Sequence, residues 1–325
     1  MNILIFGKDG QLGKALQATF ESSSSLASKD GVRFIYLGRA ECDLSKPDAV
    51  SAALDQFRPD CIMNAAAYTA VDAAETNELL ANAINAGAPE RMAQYSAQHG
   101  ATFLHYSTDY VFDGSKEGPY RETDVRNPLG AYGKSKAAGE RAIEHAFLHA
   151  TQGQYAILRT SWVYGEGGNF IRTMLRLAQE RDELRVIADQ YGVPTAAAWL
   201  AQVSMALAFD RHGALRAFPS GIYHAVPAGE TCWHGLACWA VQEASQAGMQ
   251  LKVDAGAILP IPASAYPLPA PRPMNSRMQT TKLLQQLEAQ ADVSEWDHSA
   301  VTLLRTPWNV GVTDYVRAIA RQHTA

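Results

Sequence analysis

The sequence has few cysteines, no long apolar run and no block of like charges. Its 325 residues contain four cysteines with no CxxC pair among them, which argues against a secreted scaffold held by disulfides. No apolar run reaches the roughly eighteen residues that a membrane-spanning helix requires. The 28 basic and 33 acidic side chains are scattered and give a net charge of -5, so we expect no nucleic-acid partner and no membrane partner. The opening "MNILIF" carries no basic leader, and we expect a cytoplasmic protein.

Short apolar runs alternate with longer segments of helical periodicity over residues 1–165. Strands are predicted at "NILIF", "VRFIYLG", "CIMNAA", "ATFLHYS" and "YAILRTS". Helices are predicted over residues 10–20, 47–57, 78–100 (with a kink or break at Pro89) and 132–150. This alternation predicts an α/β fold, a Rossmann-type doubly wound parallel sheet with a smaller interleaved C-terminal substrate domain. Two later runs, 184–190 and 221–226, are expected to extend the same sheet.

The segment "NILIFGKDGQLGKAL" has the pattern of a strand, a glycine turn and a helix. Gly7, Gly10 and Gly13 follow the spacing GxxGxxG, which permits a tight turn, close approach of backbone N–H groups to a pyrophosphate and close packing of the helix. A glycine triplet alone would also fit an ordinary strand-to-helix turn. Because this triplet follows the first strand and opens the first helix, it favours dinucleotide binding.

The end of the second predicted strand bears on the choice of cofactor. NAD-selective sites usually carry a carboxylate there for the ribose 2′-hydroxyl, whereas "FIYLGRAECD" presents Gly38 and Arg39. An arginine suits a 2′-phosphate, so NADPH is the preferred cofactor and NADH remains possible. The alternative is that Arg39 is a solvated surface charge. Asp43 is placed either to contact the adenine end of the cofactor or to cap the next helix.

The segment "AYGKSKAAGE" places Tyr132 and Lys136 four residues apart, and therefore on one face of a helix. We expect the ammonium group to lower the pKa of Tyr132, which would help the tyrosine to protonate an alkoxide during ketone reduction. Thr108 ends a predicted strand at the sheet edge where such folds bind ligands, and its hydroxyl could bond a carbonyl oxygen. Taken singly, the three residues could be a half-buried ring, a solvated charge and a turn former. Their occurrence together behind a dinucleotide turn favours catalysis.

These features together resemble the extended branch of the short-chain dehydrogenase/reductase superfamily, and within it the dTDP-4-dehydrorhamnose reductase family. The motifs that carry the resemblance are, in chain order, "GKDGQLG", "NAAAYTAVDAAE", "STDYVFDG", "NPLGAYGKSKAAGE", "RTSWVYG", "GNFIRTMLRLA", "DQYGVPT" and "RPMNSR". They span nearly the whole chain. The glycine turn is common to the superfamily, whereas "STDYVFDG", "RTSWVYG" and "DQYGVPT" are more specific.

The resemblance implies reduction of the 4-keto group of dTDP-4-dehydro-6-deoxy-L-mannose by NAD(P)H, giving dTDP-L-rhamnose. It implies a catalytic set of Thr108, Tyr132 and Lys136, with Tyr132 as the general acid. The predicted cofactor contacts are Gly7, Asp9, Gly10, Gln11, Leu12, Gly13, Arg39, Asp43, Leu44, Ala66, Ala67, Tyr68, Thr69, Tyr106, Tyr132 and Lys136. The predicted contacts to the dTDP-sugar are Val71, Thr108, Asp109, Tyr110, Tyr132, Trp162, Arg272 and Arg277. The two arginines are candidates for the diphosphate, with a charged loop edge as the alternative, and core packing is the alternative for Trp162.

The chain is accordingly divided into two interleaved domains. An NADP(H)-binding Rossmann domain is predicted over residues 1–168 and 191–227, and a nucleotide-sugar-binding domain over residues 169–190 and 228–308. A C-terminal helix is predicted over residues 309–325.

Two alanines bear on metal binding and assembly. Some members of the resembled family dimerise through magnesium held by acidic residues, one in the first helix and one just after the "PT" of "DQxGxPT". Here those positions are Ala15 and Ala198, and alanine supplies no oxygen ligand. We therefore expect no magnesium site, and either a monomer or a dimer that no metal bridges. Cys232, His234 and Cys238 lie close together but lack a second pair of ligands, so no zinc site is predicted.

Two other functions remain open. The first is that of another nucleotide-sugar epimerase or dehydratase of the same branch, although dehydratases usually carry an acidic pair where Asp109 is followed by Tyr110. The second is that of a non-catalytic NADP-binding regulatory subunit, which shares the glycine turn. An intact set of Thr108, Tyr132 and Lys136 fits an enzyme better.

Overall fold

The computed structural model of the protein describes residues 1–23, 31–290 and 295–324. The last residue of the predicted C-terminal helix, Ala325, lies outside these ranges. Within them, strands β1 to β12 are Asn2–Phe6, Arg33–Leu37, Cys61–Asn64, Thr102–Thr108, Gln154–Thr160, Val163–Tyr164, Leu184–Ile187, Tyr191–Gly192, Thr195–Ala196, Gly221–His224, Thr231–Cys232 and Ile258–Ile261. Helices α1 to α12 are Gln11–Ser22, Pro47–Phe57, Val71–Ala74, Glu78–Asn82, Ala88–His99, Ala131–Phe147, Phe170–Glu180, Ala197–Ala208, Trp233–Gln246, Thr281–Gln290, Glu295–Arg305 and Trp308–Thr324.

Six strands form one parallel sheet in the order β2-β1-β3-β4-β5-β10. The order reverses at β1, which has β2 on one side and β3 on the other, and such a reversal opens a crevice at the carboxyl ends of the strands. The predicted Rossmann-type parallel sheet is confirmed. Its outermost strand β10 comes from the run predicted at residues 221–226.

Helices pack on both faces of this sheet, as the alternation of side chains along β1 shows. Ile3 and Ile5 pack in one core with α1 and α8, whereas Leu4 and Phe6 pack in another with α2 and α5. Successive side chains of a strand point to opposite faces of the sheet, so a strand in which they are all apolar is expected to be buried on both faces.

The run at residues 184–190 does not extend the main sheet, and that prediction was wrong. Its strand β7 pairs with β12 in a separate two-stranded parallel sheet. Leu184 and Val186 of β7 pack with Ile258 in a second core, to which α7, α9 and α12 contribute most of the other side chains. The apolar pattern of β7 predicts a strand but cannot identify its partner. The division into two domains stays a prediction.

The long predicted helix at residues 78–100 contains a change of helix type. Helix α4 continues through a π-helical turn, Ala83–Gly87, directly into α5. Pro89 lies in the first turn of α5, where the absence of a backbone N–H is well tolerated. The kink or break expected at Pro89 is replaced by the π-helical turn just before α5. Among the described residues, no helix combines the length and the apolar character needed to cross a membrane.

Candidate active site

A cavity of about 1000 Å³ opens at the carboxyl ends of the parallel strands. The turn after β1, the ends of β3 and β4, the start of α6 and the segment after β5 line it. It brings together most of the predicted site residues, namely Gly7, Asp9, Gly10, Gln11, Leu12, Arg39, Asp43, Leu44, Ala66, Ala67, Tyr68, Thr69, Val71, Tyr106, Thr108, Asp109, Tyr110, Tyr132, Lys136 and Trp162. Gly13, Arg272 and Arg277 are not among its lining residues.

The glycine turn forms a cradle at one part of the cavity. Gly7 has φ +87°, and a Cβ there would lie 2.6 Å from the backbone nitrogen of Ala66. A Cβ on Gly13 would lie 2.0 Å from the Gly7 carbonyl oxygen, so Gly13 allows α1 to pack against the turn instead of lining the cavity. The buried Gln11 Oε1 finds no donor among the described residues, as is common where a polar ligand binds. This cradle at a helix N-terminus fits a dinucleotide pyrophosphate.

Gly38 and the exposed Arg39 line the cavity beyond the end of β2. A Cβ at the first position would lie 2.1 Å from Asp9 Oδ2, so a larger residue there would require the Asp9 side chain to move. Glu41 accepts hydrogen bonds from Lys8 Nζ at 2.5 Å and from the Gly38 N–H at 2.8 Å, and these bonds lower the pKa of its carboxyl. Sequence reasoning missed this Lys8–Glu41 pair, since its partners come from two different turns.

Of the two roles predicted for Asp43, the helix cap was wrong, because the N-cap residue of α2 is Lys46 and no side chain caps that helix. Asp43 lines the cavity, and its Oδ1 also accepts from the Ser45 hydroxyl at 2.8 Å and from the Ser45 N–H at 3.0 Å, just before α2. These two bonds lower the pKa of the Asp43 carboxyl, which therefore stays ionised at the edge of the cavity.

The predicted catalytic set comes from two elements. Thr108 is the last residue of β4, and Tyr132 and Lys136 lie about one turn apart near the start of α6. All three are buried, and Lys136 is only 1% exposed. Thr108 Oγ1 donates a hydrogen bond to Asp109 Oδ1 at 2.9 Å. The structure thus brings the three side chains to one cavity, as their spacing indicated.

The expectation that Lys136 lowers the pKa of Tyr132 was wrong in its direction. Burial raises the pKa of Tyr132 to about 12, while a hydrogen bond with Thr108 acts the other way. Burial also lowers the pKa of Lys136 to about 8. The Lys136 Nζ lies 2.6 Å from the Tyr106 carbonyl oxygen and 3.0 Å from His105 Nε2. At neutral pH Tyr132 therefore holds its proton and can donate it.

Small residues in "AYGKSKAAGE" let α6 approach its neighbours closely. A Cβ on Gly133 would lie 2.2 Å from the Tyr110 carbonyl oxygen, and one on Gly139 would lie 2.1 Å from the Asn85 carbonyl oxygen. The Asn85 side chain, in the π-helical turn, donates to Ser135 Oγ at 3.0 Å. These contacts fix the position of the helix that carries the tyrosine–lysine pair.

Asp109 is buried directly after β4 and is engaged with two hydroxyl groups. Its carboxylate accepts hydrogen bonds from Thr108 and from Ser276, which belongs to the "RPMNSR" motif. Burial raises the pKa of Asp109 to about 6, against the effect of both bonds. The carboxylate therefore joins the end of β4 to a segment far away in the sequence.

Trp162 and Trp233 both line the cavity and stack on each other, with ring centroids 3.7 Å apart and 16° between the ring planes. Trp162 has φ +48°, a conformation that is uncommon outside glycine. Gly192 lies against its indole, since a Cβ there would be 2.6 Å from Cε2. Sequence reasoning missed Trp233, which lies in none of the motifs that carry the resemblance. The pair presents a flat apolar surface to the cavity.

Arg272 and Arg277 are engaged with acidic partners outside the cavity lining. Arg272 forms two hydrogen bonds to the Asp72 carboxylate, at 2.6 Å and 2.8 Å, which lower the pKa of Asp72 to about 2. Arg277 lies 3.1 Å from Glu230 and stacks over the Tyr191 ring at 5.6 Å. The assignment of both arginines to a diphosphate stays a prediction.

The chain is similar over most of its length to known protein sequences. The family model described as RmlD substrate binding domain matches residues 1–307. A dTDP-4-dehydrorhamnose reductase from Shigella flexneri is 44% identical over 287 residues, which cover 88% of this chain and 91% of that protein.

Solved structures show the same similarity. A dTDP-4-dehydrorhamnose reductase from Clostridium acetobutylicum matches with a TM-score of 0.81 and 30% identity, covering 98% of this chain and 99% of that one. The structure of a dTDP-4-dehydrorhamnose reductase from Bacillus anthracis in complex with NADP matches with a TM-score of 0.77 and 31% identity, covering 97% and 98%. As its motifs predicted, the chain belongs to the dTDP-4-dehydrorhamnose reductase family, a family of oxidoreductases.

Proposed function

We propose that this enzyme reduces the 4-keto group of dTDP-4-dehydro-6-deoxy-L-mannose to dTDP-L-rhamnose, with NADPH as the reductant and Tyr132 as the general acid. The observation that carries the proposal is that the glycine turn, Thr108, Tyr132 and Lys136 all line one cavity. The family membership supports the reaction, and the NADP complex of the Bacillus anthracis relative supports the cofactor.

The cofactor is assigned to the part of the cavity between the glycine turn and β3. NADPH, when bound, supplies the hydride that reduces the carbonyl carbon. The backbone around Gly7 and Gly10 holds the pyrophosphate at the N-terminus of α1, and Arg39 binds the 2′-phosphate. Lys136 binds the nicotinamide ribose. NADH can serve in place of NADPH, because it lacks only the 2′-phosphate and Arg39 is the single residue assigned to that group.

Tyr132 donates its proton to the carbonyl oxygen as negative charge develops there. Its pKa of about 12 keeps the hydroxyl protonated at neutral pH, and burial keeps bulk water from competing for the proton. Thr108 places its hydroxyl beside the same oxygen and orients the ketone. The sugar ring packs against the indole of Trp162, which Trp233 and Gly192 hold in place.

The reaction is tested by mixing the protein, NADPH and dTDP-4-dehydro-6-deoxy-L-mannose and following the loss of absorbance of the reduced nicotinamide. We expect oxidation only when the sugar is present, with dTDP-L-rhamnose as the product identified by chromatography. Binding of NADPH without oxidation would contradict the proposal and favour a regulatory subunit. Conversion of the sugar without net oxidation of the cofactor would favour an epimerase.

Replacing Arg39 with alanine is expected to weaken NADPH binding by about tenfold or more and to leave NADH binding nearly unchanged. The physical reason is that a charge-assisted bond to a phosphate contributes roughly 1.5 to 3 kcal/mol, and NADH has no such phosphate. The dissociation constants of both cofactors, measured by quenching of protein fluorescence, check this.

A Lys46→Ala variant is the control for the loss of one positive charge, because Lys46 is exposed near the start of α2 and does not line the cavity. Equal weakening of both cofactors in the Arg39 variant, or an equal effect of Lys46→Ala, would make Arg39 an ordinary surface charge.

A further inference from the structure

Strand β2 ends without a carboxylate of its own, but the glycine turn places one beside that end. Asp9 of the turn and Gly38, the first residue after β2, both line the cavity. A Cβ on Gly38 would lie 2.1 Å from Asp9 Oδ2 and 3.1 Å from Asp9 Cγ. The Asp9 carboxylate therefore occupies the space in which a side chain at position 38 would begin.

Backbone hydrogen bonds hold Asp9 at this place. The N–H groups of Gly7 and Lys8 donate to the carbonyl oxygen of Leu37, the last residue of β2, at 2.8 Å and 3.3 Å. On the other side of Asp9, the Gly10 N–H donates to the Gly7 carbonyl oxygen at 3.0 Å. An aspartate side chain has only two rotatable bonds, so its carboxylate stays close to the backbone that carries it. The fold itself thus fixes a carboxylate at the end of β2.

The carboxylate of Glu41 also approaches Gly38, but it is already engaged. Its Oε2 accepts from the Gly38 N–H at 2.8 Å and its Oε1 from Lys8 Nζ at 2.5 Å, and Glu41 is not among the residues that line the cavity. Asp43 does line the cavity, but it lies farther along the chain from β2 and already accepts two hydrogen bonds. Asp9 is exposed, and none of the described residues donates a hydrogen bond to it. Its oxygens are therefore available to a ligand.

A carboxylate at the end of the second strand distinguishes the two nicotinamide dinucleotides. In Rossmann-type sites such a group accepts a hydrogen bond from the 2′-hydroxyl of the adenosine ribose. A hydrogen bond to a charged acceptor is stronger than one between neutral groups. In NADPH a phosphate with a charge of about −1.5 to −2 takes the place of that hydroxyl, and the same carboxylate repels it.

We propose that Asp9, lodged against Gly38, is a specificity-determining residue that favours NADH, because its carboxylate accepts a hydrogen bond from the 2′-hydroxyl of the adenosine ribose. The proposal rests on the proposed function, since it places the adenosine ribose of the cofactor at the end of β2. Arg39 acts in the opposite direction by favouring the 2′-phosphate. The choice of cofactor is thus set by two opposing charges from two segments, which allows the enzyme to use both NADPH and NADH.

Replacing Asp9 with alanine is expected to raise the dissociation constant of NADH by about tenfold, because a hydrogen bond to a charged group is lost. The dissociation constant of NADPH should stay the same or fall, because a repulsive charge is removed. Both constants are measured by quenching of protein fluorescence with the full chain and without the sugar. Since no turnover is involved, the result is separate from whether the proposed reduction occurs.

An Asp48→Ala variant is the matched control for the loss of one negative charge. Asp48 is exposed in the first turn of α2 and does not line the cavity, so we expect it to leave the ratio of the two dissociation constants unchanged. An equal effect of Asp9→Ala on NADH and NADPH, or the same change of ratio in Asp48→Ala, would overturn the proposal.

A Gly38→Ala variant tests the placement of the carboxylate while keeping its charge. Gly38 is not among the glycines with positive φ, so alanine suits its backbone, but the added Cβ displaces the Asp9 carboxylate. We expect a selective loss of NADH affinity like that of Asp9→Ala, and no further loss when the two substitutions are combined, because both remove the same contact. Losses that add in the double variant would show that Gly38 does not act through Asp9 and would overturn this placement.

Discussion

Replacing Tyr132 with phenylalanine is expected to lower kcat by about 10² to 10⁴ while NADPH binding is retained. Phenylalanine keeps the buried ring and its edge-to-face contact with Tyr110, whose centroid lies 5.4 Å away, so the cavity keeps its shape. The variant loses only the hydroxyl that holds a proton at neutral pH. The measurement is steady-state turnover at saturating sugar and NADPH, together with the dissociation constant of NADPH.

Tyr223→Phe is the matched control for the loss of a buried tyrosine hydroxyl. The Tyr223 side chain is 1% exposed, and its hydroxyl donates to the Pro219 carbonyl oxygen, outside the cavity lining. This variant should lose about 1 kcal/mol of stability and keep a kcat near that of the wild type. Turnover like the wild type in Tyr132→Phe would remove Tyr132 from the mechanism. If Tyr132→Phe also lost NADPH binding, its lower kcat would instead come from damage to the cofactor site.

The parts of the site that the sequence predicts well depend on spacing along one element. Gly7 and Gly10 bracket a single turn, and Tyr132 and Lys136 share a helix face, so local geometry alone places each pair. Only the structure explains why the residues between Tyr132 and Glu140 are small: α6 closely approaches backbone oxygens there. The pattern predicted the helix correctly without predicting its neighbours.

The parts that the sequence could not predict depend on partners that are far apart in the chain. Strand β7 has the apolar pattern of a sheet strand, but its pairing with β12 is decided by a second core formed later in the chain. The stacking of Trp162 on Trp233 likewise joins two residues that are far apart in the chain. The pKa of Tyr132 was mispredicted because the spacing shows the nearby cation but not the burial, and burial has the larger effect.

Replacing Arg159 with methionine is expected to lower the free energy of unfolding by about 3 to 5 kcal/mol. Arg159 is 1% exposed, and its Nε and Nη2 donate to the two oxygens of Glu140 at 2.9 Å and 2.7 Å. Its guanidinium also lies over the Phe112 ring, 4.9 Å from the centroid. The pair joins β5 to the helix that carries Tyr132. Without Arg159, Glu140 is a buried carboxylate whose remaining cation, Arg126, is 3.3 Å away.

Urea-induced unfolding of three variants separates the causes of this loss. Arg126→Met removes the other, more exposed cation beside Glu140, and should cost only about 1 kcal/mol because Glu140 keeps both of its hydrogen bonds to Arg159. The double variant Arg159→Met with Glu140→Met should be more stable than Arg159→Met alone, because it removes the unpaired buried charge and leaves two apolar side chains. If the double variant were less stable than the single one, the loss would come from packing around Phe112. The ion pair would then contribute little to holding the catalytic helix on the sheet.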